Sequence, residues 1–145
     1  MFNKQLEPSE KQVQSAITEY LEVLQVFWWR QNSGMAVYKD ENKGERRVRY
    51  GTEGASDLGC IAGGDRSKEI RGTFVAIEVK KPSEHRFLLK HYERIKSGAC
   101  RTKRDWHLFN QIGFIENVKD HGGEGFFASD VEDVEKAFKA HGFIR

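Results

Sequence analysis

An acid and a base, Glu78 and Lys80, lie two positions apart in a segment that is otherwise mostly apolar. The segment is "FVAIEVKK", residues 74–81. A strand points successive side chains to opposite faces, so Glu78 and Lys80 project to the same side. Asp57, in "GASDLG", precedes a second short apolar strand. If the two strands pair as a hairpin, both carboxylates meet at one edge of the sheet, where they repel each other unless a cation lies between them.

Mg²⁺ or Mn²⁺ suits this set of oxygen ligands. Each ion takes carboxylate oxygens and keeps several waters, and the carbonyl of Val79 offers a further oxygen. Lys80 can then contact a scissile phosphate, orient the attacking water or stabilise developing negative charge. These groups supply what phosphodiester hydrolysis needs. A triplet of acid, any residue and lysine also occurs by chance, as part of a cross-strand ion pair on a charged surface, so the triplet alone leaves both interpretations open.

A helix near the N-terminus is predicted with a defined start. The sequence "SEKQ" is a capping box, in which the Ser9 hydroxyl and the side chain three residues later satisfy each other's backbone amides. Apolar residues at helical spacing extend this helix to about Gln25. Glu10 and Gln14 are four residues apart and therefore share one face of it.

The remaining periodicity predicts an α/β fold. Strands are expected at residues 26–32, 36–39, 46–50, 58–62, 73–80 and 123–130. Helices are expected at residues 84–98, at about 106–121, and from a second capping box at Ser129 through Phe138. A mixed central β-sheet flanked by helices fits this order, with a right-handed crossover between the strand ending at Lys80 and the strand near Phe127.

Length and composition indicate one domain without a membrane anchor. The 145 residues lie near the modal domain size, and the net charge of +2 is too small to identify a nucleic-acid partner by itself. No apolar run reaches membrane-spanning length, and the N-terminus lacks the apolar stretch of a secretory signal. Cys60 and Cys100 have no disulfide or zinc spacing, which favours reduced thiols. We therefore predict a cytoplasmic protein.

Two basic regions stand out against this nearly neutral balance. Residues 80–105 contain nine Lys or Arg against three acidic residues, a local charge of +6. Six of these cations are candidates for phosphate contacts: Lys90, Arg94, Lys96, Arg101, Lys103 and Arg104. Tyr92 and Trp106 are available to stack on an unpaired base, and a solvated helix face is the structural alternative. Two histidines of this stretch (His85 and His91), with His107 just after it, match no zinc spacing together with Cys100.

Five segments in order resemble a known family of nucleases. They are "SEKQVQSAITEYL", "FWWRQNSG", "GASDLGCIAGG", "TFVAIEVKKP" and "QIGFIENVKDHGGEGFFASDVEDVEKAF". Together they resemble the VRR-NUC domain, a branch of the PD-(D/E)xK superfamily found in phages and bacteria and as the nuclease module of larger repair enzymes. The likeness covers roughly residues 9–138 and depends on the order of the motifs. It implies a restriction-endonuclease-like core of the order αβββαβ.

The resemblance also implies roles for individual residues. Asp57 and Glu78 would be metal ligands for Mg²⁺ or Mn²⁺, and Lys80 the catalytic lysine. Glu10 matches the acid on the family's first helix and would complete or support the metal site. Gln111 matches a glutamine that would touch the substrate or position the lysine. Gln14 is a weaker candidate for the same site.

The overall prediction is a metal-dependent endodeoxyribonuclease of phage or bacterial replication or repair that cuts branched or junction DNA in the cytoplasm of a bacterial host. Residues 82–107 would form a basic helical insertion within one domain of residues 1–145, because the family passes from lysine to glutamine through a short loop. Arg47, Arg49 and Lys81 would add DNA contacts, with Arg46 beside them. A homodimer is implied, for which Phe27, Trp28 and Trp29 are interface or core candidates. The alternative is a non-catalytic nucleic-acid-binding module on the same fold.

Overall fold

The described part of the chain forms six strands and four helices. The structure, a computed structural model, describes residues 6–31, 34–42, 44–50, 54–65, 67 and 69–145, with the backbone alone at 34–38, 40 and 48–50. In chain order the elements are α1 Glu10–Val23, β1 Phe27–Arg30, β2 Gly34–Asp40, β3 Gly44–Tyr50, β4 Leu58–Ala62, β5 Thr73–Val79, α2 Pro82–Lys96, α3 Lys103–Asp120, β6 Glu124–Ala128 and α4 Val131–Ala140. Within the described ranges, no helix is both long and apolar enough to cross a membrane.

The central sheet has four strands in the order β1, β4, β5, β6. β1, β4 and β5 are antiparallel neighbours, whereas β6 runs parallel to β5. A parallel neighbour requires a crossover, and α2 and α3 supply it. β2 and β3 form a second, two-stranded antiparallel sheet. The predicted α/β class, with a mixed sheet flanked by helices, is confirmed, and the layout is consistent with a restriction-endonuclease-like core.

The β4–β5 hairpin determines where the acids lie. Leu58 pairs with Ile77 in its register, so Asp57, one residue earlier, comes opposite Glu78. The strand predicted at residues 73–80 ends at Val79, but the Lys80 amide still donates to the Ala128 carbonyl at 2.9 Å. Lys80 is therefore held in the extended direction of β5.

Two apolar clusters lie on opposite faces of the central sheet. The first joins α1 and α4 to the side chains of Val75, Ile77 and Val79 on β5. The second is formed mainly by α2 and α3. Gly125 on β6 lies against Ile115 of α3, where a Cβ would come within 3.0 Å of the isoleucine. Because strand side chains alternate, the even-numbered residues of β5, including Glu78, face α3.

The capping box predicted for α1 is confirmed, whereas the one predicted for α4 is wrong. Ser9 caps α1: its hydroxyl accepts from the Gln12 amide at 3.1 Å, and the Gln12 side chain accepts from the Ser9 amide at 2.9 Å. The box predicted at Ser129 is wrong by one residue, because Asp130 caps α4 and accepts from the Asp133 amide at 2.7 Å. The Asp133 carboxylate in turn accepts from the Ser129 amide at 2.9 Å.

The aromatic residues of β1 occupy different environments. Trp28 packs against the first cluster, and its indole N–H donates to Glu22 at 2.7 Å. Trp29 lies over Gly59, where a Cβ would meet its ring at 2.8 Å. Phe27 is 69% exposed, so a core position is wrong for it. Phe27 is the first residue of β1, which is an edge strand of the central sheet.

Candidate active site

A polar cavity of about 310 Å³ opens where β4 begins and β5 ends. Three helices reach it: α1 through its first residue, α2 through its first turn, and α3 through two residues one helical turn apart. Its lining contains Glu10, Gly54, Ala55, Asp57, Glu78, Lys80, Glu84, His107 and Gln111. The five predicted catalytic residues (Glu10, Asp57, Glu78, Lys80 and Gln111) all lie in this lining.

The backbone around Asp57 is fixed by short hydrogen bonds. The Asp57 carboxylate accepts from the Val79 amide at 2.9 Å, and the Asp57 carbonyl accepts from the Gln31 amide at 2.9 Å. The Gln31 side chain donates to the buried Ser56 hydroxyl at 2.7 Å, which donates to the Leu58 carbonyl at 2.9 Å. Asp57 is thus tied to both β1 and β5. The carbonyl of Val79 remains a predicted ligand.

Glu78 and Lys80 are almost fully buried, at 2% and 4% exposure. Lys80 Nζ lies 3.9 Å from Glu78 Oε1, which matches the shared strand face. Burial, and then the charge of Asp57, raise the pKa of Glu78 to about 9 against the opposing effect of Lys80. Glu78 Oε2 is buried and accepts no hydrogen bond from a donor group. A hydrogen bond between the side chains of Asp57 and Glu78, which needs a proton on one of them, contributes further to the raised pKa of Glu78. A buried carboxylate oxygen in that position carries a desolvation penalty that a positive ligand would remove.

Gln111 connects α3 to the acid. Its side chain is buried, and Nε2 donates to Glu78 Oε1 at 2.7 Å. The same nitrogen lies 3.1 Å from Nε2 of His107, one turn earlier on α3. The Gln111 carbonyl oxygen, Oε1, is buried without a partner. Gln111 therefore donates to one carboxylate oxygen of Glu78, Oε1, and makes no hydrogen bond to the other, Oε2.

Glu10 and Glu84 extend the negative charge of the cavity. Glu10 is the first residue of α1, directly after the Ser9 cap, and it is exposed. Its pKa is raised by partial desolvation of the carboxyl group at the cavity and then by Asp57, with Lys80 acting in the opposite direction. Glu84 enters from the first turn of α2 and also raises the pKa of Glu10. The cavity gathers four carboxylates around one lysine, a charge balance that favours a cation.

The predicted DNA-contact residues whose side chains are described lie outside the cavity lining. Arg94 donates to the buried Asp105 carboxylate and to the Ala99 carbonyl, each at 2.8 Å, which is a structural role in joining α2 to α3. Arg104 lies over the Phe87 ring, 3.7 Å from its centre. Six others are exposed or half-buried: Arg47, Lys81, Lys90, Lys96, Arg101 and Lys103. The side chain of Arg49 lies outside the described residues.

Sequence reasoning missed four residues of the site and its support: His107, Glu84, Ser56 and Gln31. His107 carried a usable signal, because it precedes Gln111 by four positions and therefore shares its helix face. Glu84 carried none, since its place depends on how α2 leaves β5. Gln14, in contrast, was predicted as a weaker candidate for the site, but it does not line the cavity.

A divalent cation fits the residues present. Among the described residues, no three His, Cys, Asp or Glu side chains are grouped so that they could hold a metal ion by themselves. The donor chemistry is nevertheless that of Mg²⁺ or Mn²⁺, because Asp57 and Glu78 offer carboxylate oxygens and Glu78 Oε2 accepts no hydrogen bond from a donor group. A cation between these two acids would relieve their repulsion, which contributes to the high pKa of Glu78.

Comparison with protein-family models, with curated proteins and with solved structures found no match to this chain. The case for a function therefore depends on the chemistry of the cavity residues.

Proposed function

We propose that this protein is a Mg²⁺- or Mn²⁺-dependent DNA nuclease similar to VRR-NUC domains. The observation that supports it most is the buried Oε2 of Glu78, which accepts no hydrogen bond from a donor group and lies in a cavity shared with Asp57 and Lys80. Metal ligation accounts for the isolated oxygen, for the pair of repelling acids and for the adjacent lysine. A purely structural ion pair would account for only one Glu78 oxygen, the one near Lys80.

Four residues of the cavity and the carbonyl of Val79 have a place in the proposed reaction. Asp57 and Glu78 hold the cation, with Val79 offering its carbonyl and Glu10 supporting the site. When bound, the metal polarises the phosphate and lowers the pKa of a water. Lys80 orients the attacking water and stabilises the charge that develops as oxygen adds to phosphorus and the P–O bond of the leaving group breaks.

DNA is the proposed substrate, and the surface charge supports it. The exposed basic residues of α2 and α3 belong to the region whose local charge is +6, and phosphate contacts are the main source of nucleic-acid affinity. Structure-selective cutting of branched or junction DNA, a homodimer with two active sites and a location in the bacterial cytoplasm belong to the same proposal.

Cleavage of a labelled DNA panel tests the proposal. Four-way junction, flap, duplex and single strand would be incubated with Mg²⁺, Mn²⁺ or EDTA, with wild type beside Asp57→Ala. We expect metal-dependent cleavage of at least one substrate by wild type and none by the variant. Asp120→Ala, an exposed aspartate outside the cavity, should cut like wild type. Binding without cutting under every condition would replace the nuclease by the non-catalytic binding module.

A further inference from the structure

His107 lies at the edge of the cavity with one ring nitrogen turned towards Gln111. Its Nε2 is 3.1 Å from Gln111 Nε2, while that same amide nitrogen is 2.7 Å from Glu78 Oε1. The three side chains therefore form a chain from the surface of α3 to the buried acid of β5. Neither the likeness to nucleases nor the acid and lysine pattern includes His107.

The hydrogen-bond capacities of the three groups permit one arrangement with an ionised Glu78. The Gln111 amide nitrogen carries two hydrogens and no acceptor. An ionised Glu78 only accepts, so one of these hydrogens points to Oε1. The other points to His107, whose Nε2 must then offer a lone pair. In a neutral ring this places the proton on Nδ1.

While Glu78 is ionised, as it would be with a cation bound, the reverse orientation of the Gln111 amide brings two acceptors together. If Oε1 and Nε2 of Gln111 exchanged places, its carbonyl oxygen would lie 2.7 Å from Glu78 Oε1. Two acceptors at that distance repel each other, and the amide orientation is decided by such network arguments. An acceptor at His107 Nε2 therefore favours the orientation in which the amide donates to Glu78.

We infer that His107 is a positioning residue of the proposed metal site, acting through Gln111 on Glu78. By accepting from Gln111 it keeps the amide donor on Oε1, which leaves Oε2 free for the cation. The inference rests on the proposed function, since the free oxygen matters only if a metal binds there. Outer partners of metal ligands act in this way, by orienting the ligand that they contact.

The surroundings of His107 favour the neutral ring that this arrangement needs. Partial desolvation lowers its pKa, and the positive charge of Lys80 lowers it further. Glu84 and Asp57 oppose the shift more weakly. A second histidine, His121, caps the C-terminal end of α3 and lies outside the cavity; its Nδ1 is 2.8 Å from the Asn117 carbonyl. It offers a matched control.

Two measurements test the role of His107. Calorimetric titration with Mg²⁺ alone would compare wild type, His107→Ala, His107→Gln and His121→Ala. We expect His107→Ala to bind Mg²⁺ about tenfold more weakly, because an outer-shell partner is lost. His107→Gln, whose side-chain oxygen can accept from Gln111, should restore affinity, and His121→Ala should leave it unchanged. In parallel, ¹⁵N NMR of the Mg²⁺-saturated wild type at about pH 8, where the ring is neutral, should find the His107 proton on Nδ1.

The outcomes separate this inference from the proposed function. Unchanged Mg²⁺ affinity in His107→Ala, or a proton on Nε2 in the Mg²⁺-bound wild type, would overturn the role of His107 and leave the metal site intact. Failure of His107→Gln to restore the loss would overturn it as well. Absence of Mg²⁺ binding to wild type would overturn the proposed function, and the inference with it.

Discussion

Glu78 is the side chain on which the chemistry of the site depends. A carboxylate buried to this degree is costly when it is ionised, and only one of its oxygens accepts a hydrogen bond from a donor group. In the metal-free protein, Glu78 avoids that cost by keeping its proton, and its raised pKa reflects this. A bound cation would remove the need for the proton. The same residue therefore links stability, pH and metal binding.

We expect the stability of the metal-free protein to fall as the pH rises. The pKa of Glu78 goes from the ordinary 4.5 to about 9 on folding, so between these values the folded protein holds a proton that the unfolded chain has released. The stabilisation from this proton is complete below the unfolded-state pKa and is lost as the pH rises through the folded-state pKa. The free energy of unfolding falls by at most about 1.4 kcal/mol per pH unit over this range. Urea unfolding in EDTA across this range measures it.

Glu78→Gln is the control for that pH dependence. The amide cannot ionise, so the variant should lose this part of the slope and become the more stable protein at the alkaline end. Saturating Mg²⁺ should stabilise wild type more than the variant, because ligand binding stabilises only the folded protein that binds it. The same pH slope in both proteins would contradict a buried, proton-holding Glu78.

The connection between α2 and α3 belongs to the basic segment, and some of its charged residues have a structural role while others lie on the surface. Asp105 in the first turn of α3 is buried, and its carboxylate accepts from Arg94 and from the Arg101 amide at 2.9 Å. The hydrogen bond from Arg94 is the leading cause that lowers the pKa of Asp105 to about 2. Thr102 caps the helix by accepting from the Asp105 amide at 3.1 Å. Residues 97–105 are thus organised around one acid.

Two substitutions on α2 should separate folding from DNA binding. Arg94→Ala removes the partner of the buried Asp105 and should lower Tm by more than about 2 °C. Lys90→Ala removes an exposed cation and should change Tm by less than that. It should instead weaken DNA binding and reduce the salt slope by about one. Thermal unfolding and salt-dependent binding of both variants check this. Equal Tm losses would contradict the division of roles.

Across the whole chain, local patterns predicted elements better than they predicted contacts. The start of α1 and the span of β4 were predictable because a capping box and an apolar run are local signals. The cap of α4 was misplaced because Ser129 is engaged elsewhere: its hydroxyl is 2.9 Å from Nδ1 of His85, a contact between distant segments. Phe27 was misjudged because an edge position cannot be read from its residue type.

The candidate site follows the same division. Glu78 and Lys80 were predictable as a pair because strand alternation places them together, and the hairpin brought Asp57 beside them. Glu84 and the support from Ser56 depend on how α2 leaves β5 and on how β1 meets β4. These positions are determined by tertiary packing, which cannot be predicted from the local patterns of one sequence. The resemblance to nucleases had no bearing on either residue.

The most direct test of the account is single-turnover DNA cleavage by Lys80→Met, which keeps the buried aliphatic stem but removes the charge. Wild type and the exposed-lysine variant Lys136→Ala serve as references. We predict that Lys80→Met folds, binds Mg²⁺ and DNA, and cleaves about 10²–10³-fold more slowly, because a charge-stabilising group is lost. Cleavage at the wild-type rate by Lys80→Met would contradict a catalytic site in this cavity.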